Sequence, residues 1–180
     1  MRPRRIFAFL LTVFLGTLCY GVERITVTEN FHTLWNNGNG SLELKNNYKT
    51  GTTNFTTYTF SEGKYDKFNL YAISGGYCLC AFLEGSGAQV MTKEIESLDS
   101  LVIKYYPATD LEFYVDISPT GETGTWTQQT VQQLPNGQCA VKLSTQGNCF
   151  VRIVRKSANV YIREIEYHMV RCACFPYTAE

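Results

Sequence analysis

The chain has 180 residues, a formal net charge of zero, and 44% hydrophobic residues with only 18% charged. With no basic block outside the first five residues, nucleic acid and anionic membrane surfaces are poor candidates for partners. The composition is rich in Tyr, Phe, Thr, Val and Gly, the residues of strands and turns.

Met1-Arg2-Pro3-Arg4-Arg5 precedes an apolar run from Ile6 to Leu18. A basic start and a short apolar stretch are the two parts of a secretory signal. The run is shorter than the roughly 20 residues a membrane helix needs, and no later stretch is apolar enough to span a bilayer. Cys19-Tyr20-Gly21 offers a cleavage site. The expectation is a signal at 1–21, one domain at 22–170, and a cysteine-bearing tail at 171–180. Two lesser alternatives stay open, an uncleaved anchor and lipid attachment at Cys19. Either way the chain is expected to be secreted or held at the cell surface.

Beyond residue 23 the pattern is period two, the repeat of half-buried strands. Ile25 and Val27 alternate with Thr26 and Thr28, and Leu42 and Leu44 with Glu43 and Lys45. Phe68, Leu70 and Ala72 form a stripe. Tyr77 to Leu83 is continuously apolar, as in a strand covered on both faces. Met91 to Ser100 has room for one helical turn. Leu101, Ile103 and Tyr105 form a further stripe. Leu111, Phe113, Val115 and Ile117 predict an apolar face, with Glu112, Tyr114, Asp116 and Ser118 on a wet one. Gly38-Asn39-Gly40, Gly75-Gly76, Gly85-Ser86-Gly87, Pro119-Thr120-Gly121, Pro135-Asn136-Gly137 and Gln146-Gly147-Asn148 supply turns. Near the end, Val160 and Ile162 share one phase while Ile165 and Tyr167 share the other. An extra residue at Arg163-Glu164, a β-bulge, restores a common inward face. Many short strands with such spacing predict an all-β sandwich.

Six cysteines follow Cys19. Cys139 and Cys149 flank a hairpin expected near Ser144, which leaves a cross-strand disulfide and two buried thiols as equal readings. Cys78-Leu79-Cys80 and Cys172-Ala173-Cys174 are paired Cys-x-Cys units. In an exported chain these first suggest stapling of the tail onto the strand at residues 77–83, with zinc a weaker reading and free thiols a third. The sequons at Asn39 and Asn54 matter only in a eukaryotic source.

His32, expected just after a strand, and His168, expected at the end of one, stand in no catalytic motif. Glu62, Glu84, Glu94, Asp110, Asp116 and Glu166 give no reason to couple any two as an acid–base pair. Aromatics are more suggestive, because an exposed ring stacks on the apolar face of a sugar. Tyr114 leads, on an otherwise polar stripe, with Tyr105, Tyr106 and Trp35 beside it as candidate glycan contacts. Trp126 reads as core packing at a strand end.

Several segments together resemble a known kind of bacterial exported module. They are Ile25 to Phe31, Val90 to Ile95, Leu101 to Tyr106, Leu111 to Ser118 with Gly124-Thr125-Trp126-Thr127, Phe150 to Ile153, and Val160 to Glu166. The chain is similar to cleaved-adhesin and choice-of-anchor modules and to galactose-binding-like carbohydrate-binding domains. That resemblance implies a jelly-roll β-sandwich of two antiparallel sheets. It implies a non-catalytic module that binds an extracellular glycan or cell-surface ligand, or that serves adhesion. It also implies a structural calcium ion, for which Glu29, Glu164 and Glu166 are the positions, although Arg163 stands where such domains usually carry Asp. The rival readings are a small enzyme acting on polysaccharide and a protein-binding part of a surface assembly.

Overall fold

A computed structural model describes residues 21–36, 41–42, 50–60, 67–73, 76–82, 88–106, 111–156 and 158–172. For residues 32, 35, 36, 41–42, 67–73, 76–82, 145–146 and 172 it describes the backbone alone. The signal and Cys19, the Asn39 sequon, Cys174, and the side chains of Trp35, Cys78, Cys80 and Cys172 therefore lie outside the described residues.

The period-two stretches become antiparallel strands in two layers. The first layer runs β5 (Lys67–Ile73), β6 (Gly76–Phe82), β13 (Val160–Cys172), β8 (Ile95–Tyr106), the first part of β12 (Gln138–Arg155) and β11 (Val131–Leu134). β1 (Val22–Asn30) pairs with β13 beyond the end of β6. The second layer runs β2 (Ser41–Leu42), β3 (Thr50–Thr52), β4 (Thr57–Phe60), β7 (Gln89–Thr92), the last part of β12, β9 (Phe113–Ser118) and β10 (Thr127–Gln128). A short helix, α1 (Phe31–Asn36), follows β1. The result is an all-β jelly-roll sandwich whose layers are joined through β12.

The core fills the space between the layers. Leu101, Ile103, Phe113, Val115, Val141, Ile162, Ile165 and Tyr167 are all buried. Inward residues alternate with outward ones along each strand, which is how a sandwich forms its interior. β13 departs from strict alternation where the sequence does. Ile162 pairs with Tyr105 and Glu164 with Lys104, so Arg163 is the extra residue of a bulge. Val160 and Ile162 before it, and Ile165 and Tyr167 after it, all face inward.

Three sequence expectations are corrected. No hairpin forms near Ser144. Residues 138–155 are one strand that leaves the first layer at Lys142 to Cys149, through two register shifts, and enters the second. Gly147 has φ +142°, open to glycine and disfavoured for other residues, so Gln146-Gly147-Asn148 bends the strand rather than reversing it. Second, Met91 to Ser100 holds no helix but the end of β7 and the start of β8. Third, His168 lies within β13, which runs on to Cys172 opposite Val22.

The cross-hairpin staple falls with the hairpin. Cys139 pairs with Ile103 and Cys149 with Ile95, ten positions apart on one strand. That is about 30 Å of extended chain against the roughly 6 Å between Cα atoms that a disulfide needs. Both are free, buried thiols. Burial pushes Cys139 up to about 12, against a smaller opposing effect from the Ile103 backbone. Burial, with the charge of Glu94, pushes Cys149 up to about 11. Neither is a nucleophile near neutral pH. In the native protein, neither is expected to react with iodoacetamide at neutral pH, and both are expected to react once it is denatured. Peptide mapping that finds Cys139 or Cys149 alkylated in the folded protein would overturn this.

A candidate glycan-binding face on the second layer

The outward residues of β9 and the last part of β12 form the candidate site. Tyr114, Asp116 and Ser118 alternate outward from β9, and Arg152 lies directly opposite Asp116. The guanidinium places two N–H donors on Asp116 Oδ2, from Nε at 3.0 Å and Nη2 at 2.5 Å. Its carbon then sits 4.4 Å from the ring centroid of Trp126. A cation over the face of tryptophan is a favourable contact that fixes both side chains. Trp126 is thus half-buried on the outer face, a correction to its reading as core. The stripe is also less wet than its sequence implies. Asp116 and Ser118 are 4% and 0% exposed, because Arg152 and the turn that carries Thr125 cover them.

That turn is tied tightly. Ser118 Oγ accepts from the backbone N–H of Thr120 and Gly121, and Thr125 Oγ1 donates to Glu122 O at 2.7 Å. Gly121 lies over the Phe150 ring, where a Cβ would stand 3.1 Å from its nearest carbon, and its φ is +75°. Both facts call for glycine.

Beyond β10 the chain crosses from the edge of the second layer to β11 at the edge of the first. Gln129 secures this strap. Its N–H donates to Val115 O, its amide Nε2 donates to Thr127 O, and its Oε1 accepts from Ser144 N. One cleft opens on each side of the strap. The first, about 360 Å³, lies at the Leu111–Tyr114 end of β9 and is lined by Tyr114, Gln128, Thr130 and Lys156. The second, about 600 Å³, lies at the Ile117–Pro119 end and is lined by Thr125, Thr127, Ser144, Asn148 and Cys149. Both volumes fall in the range of small-ligand sites.

Of the four aromatic candidates, the three whose side chains are described do not converge. Tyr114 stands half-buried at the first cleft, opposite the buried Val154 of β12. Tyr105 is a core residue, packed edge-on to Phe113 at 5.4 Å, because it shares the inward phase of Leu101 and Ile103. Tyr106 is 54% exposed on the outer face of the first layer. There it lies 6.2 Å from Tyr161, with the Arg163 guanidinium 5.5 Å from its centroid. Trp35 belongs to α1. Sequence reading missed Trp126, Arg152, Gln128, Thr130 and Lys156. Only Trp126 carried a signal, as a tryptophan in a run of threonines and glycines.

The three carboxylates proposed for calcium are also separated. Glu29 pairs with Ile165 and shares its inward face, whereas Glu164 and Glu166 point outward from β13. Calcium needs six to eight oxygens around one point, and no cluster of three His, Cys, Asp or Glu exists among the described residues. Glu164 instead pairs with Lys104 and accepts from Asn30 Nδ2 at 3.1 Å. Glu166 lies 3.7 Å from Lys104 and 3.8 Å from His168 Nε2. Hydrogen bonding to Glu164 holds the Lys104 ammonium above its usual pKa range. These residues do not fit a calcium ion.

No family model matches the chain, and no curated protein matches it. Solved structures do. A carbohydrate-binding module, CBM32, of Clostridium perfringens aligns at 19% identity and TM-score 0.47, over 65% of this chain and 95% of that one. The K2 cleaved adhesin domain of Lys-gingipain aligns at 16% identity and TM-score 0.48, over 81% and 100%. A low-affinity xylan-binding module of Roseburia intestinalis aligns at 13% identity and TM-score 0.40, over 62% and 89%. No helix among the described residues is long and apolar enough to cross a membrane.

Proposed function

We propose that this chain is a non-catalytic, secreted or cell-surface module that binds a glycan on the outer face of its second layer. One observation carries the reading. Tyr114 lines a cleft whose polar groups include an amide (Gln128), a hydroxyl (Thr130) and an ammonium (Lys156), beside the apolar Leu111, Phe113 and Val131. An aromatic face takes the C–H side of a sugar ring, and the polar groups take its hydroxyls. Rigidity supports the same reading. Lys156 is held by its own N–H on Glu112 O and by Nζ on Leu111 O, so the cleft is preformed. Among the described residues, neither cleft is lined by Asp, Glu or His.

The test is a glycan array with the mature protein, run with chelator present, since the calcium positions do not converge. Binding to at least one glycan is expected, and Tyr114→Ala is expected to weaken it by about tenfold or more. Tyr106→Ala, on the other layer, is expected to leave it unchanged. An array with no binding, or binding lost with Tyr106 and kept without Tyr114, would reject the assignment.

A further inference from the structure

We infer that the glycan is an extended chain held at two subsites along the β9–β10 edge, rather than a single terminal sugar. The inference rests on the glycan reading above and specifies its ligand class. β10 is two residues long, and it divides the lining between the two clefts. Thr127, opposite Ile117, belongs to the second cleft, and Gln128, opposite Asp116, to the first. Tyr114 and Ile117 mark the two clefts on β9, about 10 Å apart at ~3.3 Å per residue. That separation is longer than one sugar ring.

Tyr114 lines the first cleft. Trp126 stands between Thr125 and Thr127, which line the second, but its own ring is turned onto Arg152, itself anchored on Asp116. Both clefts carry hydroxyl and amide groups, Thr130 and Gln128 in the first, Thr125, Thr127 and Asn148 in the second, and so match a ligand that repeats the same chemistry along its length. The described lining of the second cleft is hydroxyl, amide and apolar groups, which suit a neutral sugar unit. Gln129 pins the strap between the clefts through both ends of its amide. The subsites therefore keep a fixed spacing, and the second contact needs little reordering once the first is made.

The experiment titrates the whole mature chain with cello-, xylo-, manno- and chito-oligosaccharides from monomer to hexamer. For a series that binds, the hexamer is expected to bind tighter than the dimer by a factor on the order of ten or more. Thr127→Trp fills the second cleft from an exposed position. It is expected to bring hexamer affinity down to about that of the dimer. Equal affinity for monomer and hexamer in the unaltered protein would overturn the two-subsite arrangement and leave a single site at Tyr114. Unchanged hexamer binding by Thr127→Trp would do the same. Binding to no saccharide, in these series or on the array, would overturn the glycan reading and this inference with it.

Discussion

Deletion of Arg163 is expected to unfold the domain, or nearly so, whereas Arg163→Ala is expected to leave it folded. The difference lies in the backbone. Arg163 is the extra residue that lets Val160 and Ile162 share the inward face of Ile165 and Tyr167. Without it, the strand before Glu164 turns over. Val160 and Ile162, now 1% and 0% exposed, would point to solvent, and Tyr161 would point into the core. Burying an aliphatic side chain is worth about 1.5–3 kcal/mol, so the two together account for ~3–6 kcal/mol. A domain of this size has only about 5–15 kcal/mol in total. Sliding the register cannot rescue the deletion, because a one-residue slip exchanges the faces of every residue that moves. The alanine substitution keeps the bulge and loses the contact with the Tyr106 ring, worth about 0.5–1 kcal/mol at an exposed site. Urea denaturation followed by circular dichroism separates the cases. Equal midpoints for the deletion and the unaltered protein would show that the bulge does not set the phase of β13.

The same bulge shows what kind of information the sequence holds. Two apolar pairs out of phase within eight residues reveal an inserted residue, since strand periodicity is rigid. Elsewhere, identical logic misleads. Cys139, Val141, Leu143, Cys149, Val151 and Ile153 all have odd numbers. A hairpin centred on Ser144 and a single bent strand both put them on one face, so parity cannot choose between the two. The choice depends on β8 and β9, which receive the two parts of β12. Residues 91–100 mislead for a different reason. The buried positions Ile95, Leu98 and Leu101 are three apart, a helical spacing. Extra residues in β8 produce it, at Ser97, whose φ is +53°, and at Asp99.

The candidate site was legible in part. Tyr114 stands out as an aromatic residue on a polar stripe, and the structure places it at a cleft. Its partners come from β10, the strap and the end of β12, and no local pattern links them. Tyr105 and Tyr106 are adjacent in sequence and face opposite ways, so naming both as surface contacts could not hold for both. The calcium trio fails by the same alternation. Glu164 and Glu166 share a face, and Glu29 reaches β13 opposite Ile165, which lies between them.

Glu29 has a different consequence, and it can be measured. Its carboxylate is 2% exposed and accepts a hydrogen bond from Tyr58, whose hydroxyl is 2.8 Å from that of Tyr167. Phe31 packs edge-on to Tyr58, and Phe55 packs on Tyr167, so the network has an aromatic wall. β1 and β13 belong to the first layer and β4 to the second, so these three residues bridge the sandwich. Burial raises the Glu29 pKa, and hydrogen bonds from Thr53 and Tyr58 oppose part of that rise. Burial, together with the Glu29 charge, holds both tyrosines well above their usual range, so they remain neutral donors.

The sign follows from linkage. A carboxyl whose folded pKa exceeds its unfolded value favours folding most when protonated in both states. Its contribution is full below about pH 4, the unfolded range, and is lost as pH rises through the folded pKa. Glu29→Gln cannot ionise but keeps a carbonyl oxygen for Tyr58. Its stability relative to the unaltered protein is therefore expected to improve steadily from about pH 4 towards neutrality. Tyr58→Phe removes the donor and leaves the carboxylate buried without it, at an expected cost of about 2 kcal/mol. That cost should be greatest where Glu29 is ionised and smaller at acid pH. Thermal melts of the three proteins across this range provide the check. Parallel Tm–pH curves for the unaltered protein and Glu29→Gln would mean that the carboxyl titrates alike in both states, and that its burial carries no pH-dependent cost.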